Sequence, residues 1–315
     1  MTPIETRSAT VVAVLTLAAA TLLGGAARAQ EADPRRPGET TEPVWSTGLH
    51  VQGLFFDNFF QLPDDEPQQD VEALRAEGRL GWRPGGGALE LFGVAGATTW
   101  SEDLDETLLL GGGVAWDGLV DDFELGLRYE ADRPSFEVGD TIGTADLLDL
   151  GAVWSHRLTD DWELSALADF ERLDYEVDDG RDSDFVNGGA AVRYRGWGYA
   201  ISPEIGFELG ERSADDPNED NEQQDLWLKL RSAPIPPLYL TLRYRMRTRD
   251  YDIGDPLAGN FRREDDRDQI VFTADWTTSD LLTWTVYYAF EDADSTKESR
   301  IFDTQLLAIG LRLTP

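Results

Sequence analysis

The chain has 315 residues, a net charge of -34 from 61 acidic against 27 basic side chains, and no cysteine. That charge disfavours nucleic acid as a partner, and the missing cysteines exclude disulfides, thiolate metal sites and cysteine nucleophiles together. With 14 Phe, 10 Trp, 9 Tyr and 30 Gly, the composition is that of a β-rich protein.

Residues 1–29 read as a cleavable export signal. The apolar run ATVVAVLTLAAATLLGG is followed by Ala27-Arg28-Ala29, a small-x-small cleavage site. Residues 30–43 form a proline-rich, extended leader, and 44–315 remain for the folded part. No later segment approaches about twenty consecutive apolar residues, so no transmembrane helix is predicted. From residue 44 onward one unit recurs: about ten residues of alternating polarity, then a break. Fourteen such units fall at 44–59, 71–82, 88–99, 107–116, 122–131, 147–158, 161–174, 184–195, 198–210, 224–232, 237–249, 268–277, 281–291 and 302–313. The even-numbered breaks are short, as in RPGGG, TD and TSD. The odd-numbered ones are longer and crowded with acids, as in QLPDDEPQQD and RSADDPNEDNEQQ. Hairpins that alternate short and long belong to an up-and-down meander with two distinct ends.

A period of two sends successive side chains to opposite faces of a sheet. Phe123, Leu125, Leu127 and Tyr129 alternate with Glu124, Arg128 and Glu130. Ile205, Phe207 and Leu209 alternate with Glu204 and Glu208. One face is therefore apolar and the other too heavily charged for a soluble core. If the apolar face meets lipid, the charged face lines water and no strand edge is left exposed. Trp45, Trp82, Trp116, Trp154, Trp162, Tyr194, Tyr199, Trp276 and Trp284 fall near the short-turn ends, as an interfacial girdle does. The fold expected is all-β: a 14-stranded antiparallel up-and-down transmembrane β-barrel, with short periplasmic turns, long acidic extracellular loops and both termini in the periplasm.

The stretch LYLTLRYRMRTRDY sets Arg243, Arg245, Arg247 and Arg249 on one parity, with Leu238, Leu240, Leu242, Tyr244 and Met246 on the other. The arginines then climb the inner wall, and Lys229 and Arg231 extend the basic patch on the neighbouring strand. Lumenal Glu163, Asp169, Glu171, Glu204 and Glu208 supply the opposite charge. Two readings follow: a network of ion pairs that stiffens or fills the barrel, or a basic wall guiding solutes through an aqueous channel. The acidic loops are a solvated, repulsive surface, or a place where divalent cations bridge to anionic lipid headgroups. The densest acidic stretch, DYEVDDGRDSD, holds Asp174, Asp178, Asp179, Asp182 and Asp184 but lacks the residue order of a calcium loop.

This architecture resembles bacterial outer-membrane β-barrel proteins of the porin-like type. The resemblance implies an outer-membrane location and, as partners, outer-membrane lipid, lipopolysaccharide and the barrel assembly machinery. Such proteins usually finish on a strand ending in an aromatic residue, whereas this chain ends in Leu313-Thr314-Pro315. The third long break carries RPSFEVGDT, which looks like the Pro-Glu-Phe-Gly-Gly-Asp-Thr stretch of the general porins' constriction loop. Pro134, Phe136, Gly139, Asp140 and Thr141 match, and Glu137 is displaced by one residue. The resemblance implies that Glu137 and Asp140 face the arginine ladder inside the pore.

No catalytic constellation accompanies these features. The two histidines are His50, on the lumenal parity, and His156, on the outward parity; Ser155 and His156, being neighbours in a strand, point to opposite faces. No phosphate-cradling loop or dinucleotide fingerprint is present, so no cofactor is predicted. Gly111 to Gly113 sit within a strand, where they relieve crowding inside the barrel. The function expected is a porin-like channel for passive diffusion of small hydrophilic solutes or ions through a mixed-charge lumen with a basic wall. The alternative is a closed structural or surface-interaction barrel whose acidic loops bind cations, lipopolysaccharide or an external partner. A barrel that exports or scaffolds a surface polymer is a third reading.

Overall fold

The structure is a computed structural model and describes residues 43–59, 70–101, 104–118, 120–138, 141–176, 179–197, 201–254, 262–296 and 301–314. Residues 1–29, read from the sequence as an export signal, and nearly all of the segment 30–43 lie outside these residues. Fourteen strands follow in order: β1 (Val44–Asp57), β2 (Val71–Arg83), β3 (Leu89–Trp100), β4 (Thr107–Asp117), β5 (Asp121–Val138), β6 (Thr141–Arg157), β7 (Trp162–Tyr175), β8 (Ser183–Tyr194), β9 (Ser202–Ala214), β10 (Asn221–Ile235), β11 (Leu238–Gly254), β12 (Arg262–Ser279), β13 (Leu282–Ser295) and β14 (Phe302–Leu313). Each pairs antiparallel with its sequence neighbours, and β1 pairs with β14 from Leu49 opposite Leu313 to Asp57 opposite Gln305, closing the barrel. Closure leaves no edge strand unpaired.

The alternation fixes the two faces. On β9, Ile205, Phe207 and Leu209 point outward, each more than half exposed, while Glu204 and Glu208 point inward and are buried. Leu125 and Leu127 on β5, Leu242 and Met246 on β11, and Ile270 and Phe272 on β12 continue the outward apolar belt. Trp45 stacks near Trp82, and Trp162 near Tyr194, at ring-centroid distances of 6.2 and 4.9 Å at the short-turn end. The β2–β3 turn relies on Gly85, whose φ of 64° is left-handed and suits glycine.

All fourteen strands coincide with the alternating segments, but several run further into the acidic breaks. β9 continues to Ala214, β10 begins at Asn221, β11 continues to Gly254 and β12 begins at Arg262. In these extensions the outward residues become polar, as with Glu264, Asp266 and Asp268 on β12. The apolar-polar alternation that marks a strand disappears there, yet the backbone ladder still pairs, with Asp250 opposite Glu264 and Asp266 opposite Asp294.

Inside the barrel, side chains need room. A Cβ added at Gly113 would lie 2.1 Å from the Leu125 carbonyl oxygen and 2.8 Å from the Phe92 ring. Phe92 occupies that space, and the Arg79 guanidinium lies over its ring at 3.9 Å. The glycine run does relieve crowding in the lumen, at this position through a bulky aromatic neighbour.

Candidate functional site: the barrel lumen

The arginine ladder lies on the inner wall and is met by carboxylates from β9 and β10. Arg243 lies 3.6 Å from Glu208, and Arg245 pairs with both Glu208, at 3.3 Å, and Asp225. Arg247 Nε donates to Asp225 Oδ1 at 2.9 Å, and Arg249 Nε donates to the amide oxygen of Gln223 at 2.9 Å. On β10, Lys229 and Arg231 share Glu204, at 3.5 and 2.6 Å. Trp227, only 4% exposed, packs among these charges: its Nε1 donates to Glu208, and Arg243 and Lys229 each lie 5.0 Å from its ring. Gly206 on β9 makes the space, because a Cβ there would lie 2.3 Å from the Trp227 ring. Charges withdrawn from water in this way hold only when each finds a partner, so the β9–β11 wall works as a cross-braced unit.

The remaining predicted acids divide between walls. Glu163 is bound by Arg193 at 3.5 Å and by Arg195 at 2.6 Å, near the short-turn end. Glu171 pairs with Arg212 at 3.4 Å. Asp169 lies opposite Gly151 in the β6–β7 register, next to the Asp149–Glu171 pair.

A cavity of about 960 Å³ occupies the other side of the lumen. Its wall comes from β1–β7 and β12–β14 and combines polar groups such as His50, Gln52, Asp149 and Gln305 with Leu54, Phe56 and Trp100. None of the ladder arginines lines it. Its most charged feature is a cluster in which Arg75, Arg128 and Arg133 converge on Glu130, at 3.5 Å from Arg75, 4.0 Å from Arg133 and in direct contact with Arg128. Arg75 sits on β2 and Glu130 on β5, so curvature carries this contact across two intervening strands. Toward the long-loop end, Phe56, Phe59 and Trp100 pack together at 4.9 to 5.8 Å, with Val71 and Leu104 buried against them.

The segment that resembles a constriction loop is a hairpin. β5 and β6 pair up to Val138 opposite Thr141, and Glu137 stands opposite Ile142 in the register. Asp140 lies outside the described residues. The register shifts after Glu130, where Asp132 has a φ of 56°, and beyond that bend Arg133 and Pro134 line the cavity. Thr144 and Ala145, which stand opposite Pro134 and Arg133 in this hairpin, are buried, and Thr144 Oγ1 donates to Glu176 at 2.8 Å.

The acidic stretch considered for metal binding is dispersed. Asp182 Oδ1 accepts the Tyr175 backbone N–H at 2.6 Å, and Asp184 is exposed 4.0 Å from Arg172. Asp179 belongs to a single 3₁₀ turn, and Asp178 lies outside the described residues. Among the described residues no group of three or more His, Cys, Asp or Glu is placed to hold a metal ion. Ser155 meets Ser165 at 2.9 Å, whereas His156 Nδ1 meets Asp121 at 2.7 Å on the opposite face. His50 Nε2 lies 3.1 Å from the Thr285 hydroxyl across the β1–β14–β13 seam.

Sequence reasoning missed Asp225, Trp227, Glu130, Arg267 and Glu291. Asp225 shares the lumenal parity of Lys229 and Arg231 in the segment 224–232, so its signal was present, but it was not named among the lumenal acids. Arg267, which lies in the acidic break before the segment 268–277, donates through Nη1 to Glu291 Oε1 at 2.9 Å. Glu130 carried no local sign that three arginines would reach it.

No protein-family model matches this sequence, and no curated protein does. Among solved structures the chain is similar to OmpT of Vibrio cholerae, outer-membrane expressed, at 8% identity and a TM-score of 0.48, covering 89% of this chain and 100% of that one. It is also similar to an anion-selective porin from Comamonas acidovorans, at 11% identity and a TM-score of 0.46, covering 87% and 100%. The outer membrane channel DcaP of Acinetobacter baumannii aligns at 10% identity and a TM-score of 0.45, covering 89% and 99%.

Proposed function

We propose that this protein is an outer-membrane channel for passive diffusion of small hydrophilic solutes or ions. The observation that carries the reading is the 960 Å³ cavity with a polar and charged lining, held inside a closed barrel whose outer face is an apolar belt. A closed barrel satisfies every backbone group on its own, which is the requirement for crossing lipid with strands. The lumen supplies the water-facing surface that the charged parity needs. Placed this way, the short turns face the periplasm and the acidic strand extensions stand outside the cell.

The test is single-channel recording of the refolded mature chain in a planar bilayer under a salt gradient. Steady ohmic steps support the channel. Their absence from a folded barrel would overturn it. That outcome would favour the second reading, a closed barrel acting through its surface, which the bracing of β9–β11 supports. In that reading the outward acids of β9–β13 bind divalent cations and, through them, lipopolysaccharide.

A further inference from the structure

Four guanidinium groups stand together on the lumenal face where β9, β11 and β12 pass beyond the apolar belt: Arg212, Arg247, Arg249 and Arg267. Arg247 and Arg267 are direct register partners on neighbouring strands, an arrangement that brings like charges together. Three of the four have a carboxylate. Arg212 has Glu171 at 3.4 Å, Arg247 has Asp225 at 2.9 Å, and Arg267 has Glu291 at 2.9 Å.

Arg249 has none among the described residues. Its Nε donates to the neutral side chain of Gln223, whose own amide nitrogen is committed to Asp225 at 2.8 Å. Its other register partner is Asp265, and both oxygens of that carboxylate are taken. Oδ1 accepts from Arg263 Nε at 3.0 Å and Ser295 at 2.5 Å; Oδ2 accepts from Arg263 Nη2 at 2.6 Å and Tyr251 at 3.1 Å. Arg267 Nε is buried with no hydrogen-bond partner among the described residues. A partly buried guanidinium among like charges is costly unless an anion offsets it. Its planar fork of donors suits a group that offers two oxygens side by side. Glu171 and Glu291, the partners of Arg212 and Arg267, both line the cavity, so the cluster borders the space through which a solute would pass.

We propose that Arg249, with Arg212, Arg247 and Arg267, forms a lumenal binding site for a small multivalent oxyanion of the phosphate or sulfate kind. The site deepens the channel reading and rests on it only for access to the lumen.

The experiment titrates inorganic phosphate into the refolded mature chain in detergent by calorimetry, against chloride at equal ionic strength, and repeats the titration in bilayer recordings. Saturable phosphate binding, weakened roughly tenfold or more by Arg249→Gln and less by Arg249→Lys, is the expected result. In a conducting barrel, phosphate should reduce chloride current with the same midpoint. Wild-type protein that binds no phosphate, or Arg249→Gln that binds it unchanged, would overturn the site. Should Arg249→Gln fail to refold, Arg249→Lys keeps the charge but loses the fork, and unchanged affinity there overturns the site equally. A folded barrel that binds phosphate but carries no current keeps this site and discards the channel. One that conducts without binding phosphate does the reverse.

Discussion

On β9–β11 the lumenal bases Lys229, Arg231, Arg243, Arg245 and Arg247 each meet a carboxylate on an adjacent or next-adjacent strand, and Trp227 fills the space between them. On β2–β5 three guanidiniums converge on the single carboxylate of Glu130, and the cavity opens beside them. The first wall is built as cross-bracing. The second leaves charge facing space. Both walls use the same residue types, so the difference lies in how many partners each charge has and how far it is withdrawn from water. Arg245 and Arg247 have side chains 16% and 19% exposed, whereas Arg128 and Arg133 are 41% and 50% exposed.

The comparison is most directly broken at Asp225. Asp225→Ala leaves Arg245 and Arg247 in the braced wall without their shared carboxylate, at an expected cost of about 3–5 kcal/mol, read from the urea midpoint of the folded barrel. A loss no greater than that of Glu130→Gln would mean the two walls are alike. An arginine placed on the outer face should come next. Leu127→Arg, at the centre of the apolar belt, is expected to cost about 2–4 kcal/mol in lipid vesicles and little in denaturant-free detergent, because only lipid penalises the charge. Equal losses in both media would count against a bilayer around this belt.

Packing within the braced wall is tested by Gly206→Val. The new side chain must displace the Trp227 ring, at an expected cost of about 1–3 kcal/mol, visible as a shift in tryptophan fluorescence together with the unfolding midpoint. An unchanged emission spectrum would show that the ring is not held there. The smallest stability effect belongs to the cavity wall. Glu130→Gln should cost about 1 kcal/mol, because Arg128 and Arg133 are 41% and 50% exposed and Arg75 keeps Glu77 at 3.2 Å, while freeing the charge of Arg128 and Arg133 and moving the reversal potential toward anions. Raising salt to about 1 M should shrink that selectivity shift. A large stability loss with no change in selectivity would make the Glu130 cluster a second brace.

Much of the fold was legible because its signal is local. Period-two alternation depends only on the chain's own residues, so every strand, the two faces and the short-turn aromatics could be read from it. The strand extensions were not legible, because beyond the apolar belt both faces are polar and Arg267 looked like a loop residue. The ladder's orientation was legible, but its partners were only partly so. Glu204 and Glu208 were placed on the right face, whereas Asp225, which binds both Arg245 and Arg247, was not considered. The RPSFEVGDT stretch suggested a loop folded into the pore; the backbone pairs as a hairpin up to Val138 opposite Thr141, and Arg133 and Pro134 at its base line the cavity.

The sequence by itself determined the number, order and direction of the strands and which side chains face inward, since each follows from alternation and turn length along one segment. Only the tertiary structure decided which charges meet. Closure joins β1 to β14 and brings His50 to Thr285, 235 positions apart in the chain. Curvature carries Arg75 to Glu130 across two strands, and the register sets Arg247 opposite Arg267 while Arg249 meets, among the described residues, an amide. These pairings depend on how strands slide and bend against one another, a property of the closed sheet that no single segment encodes.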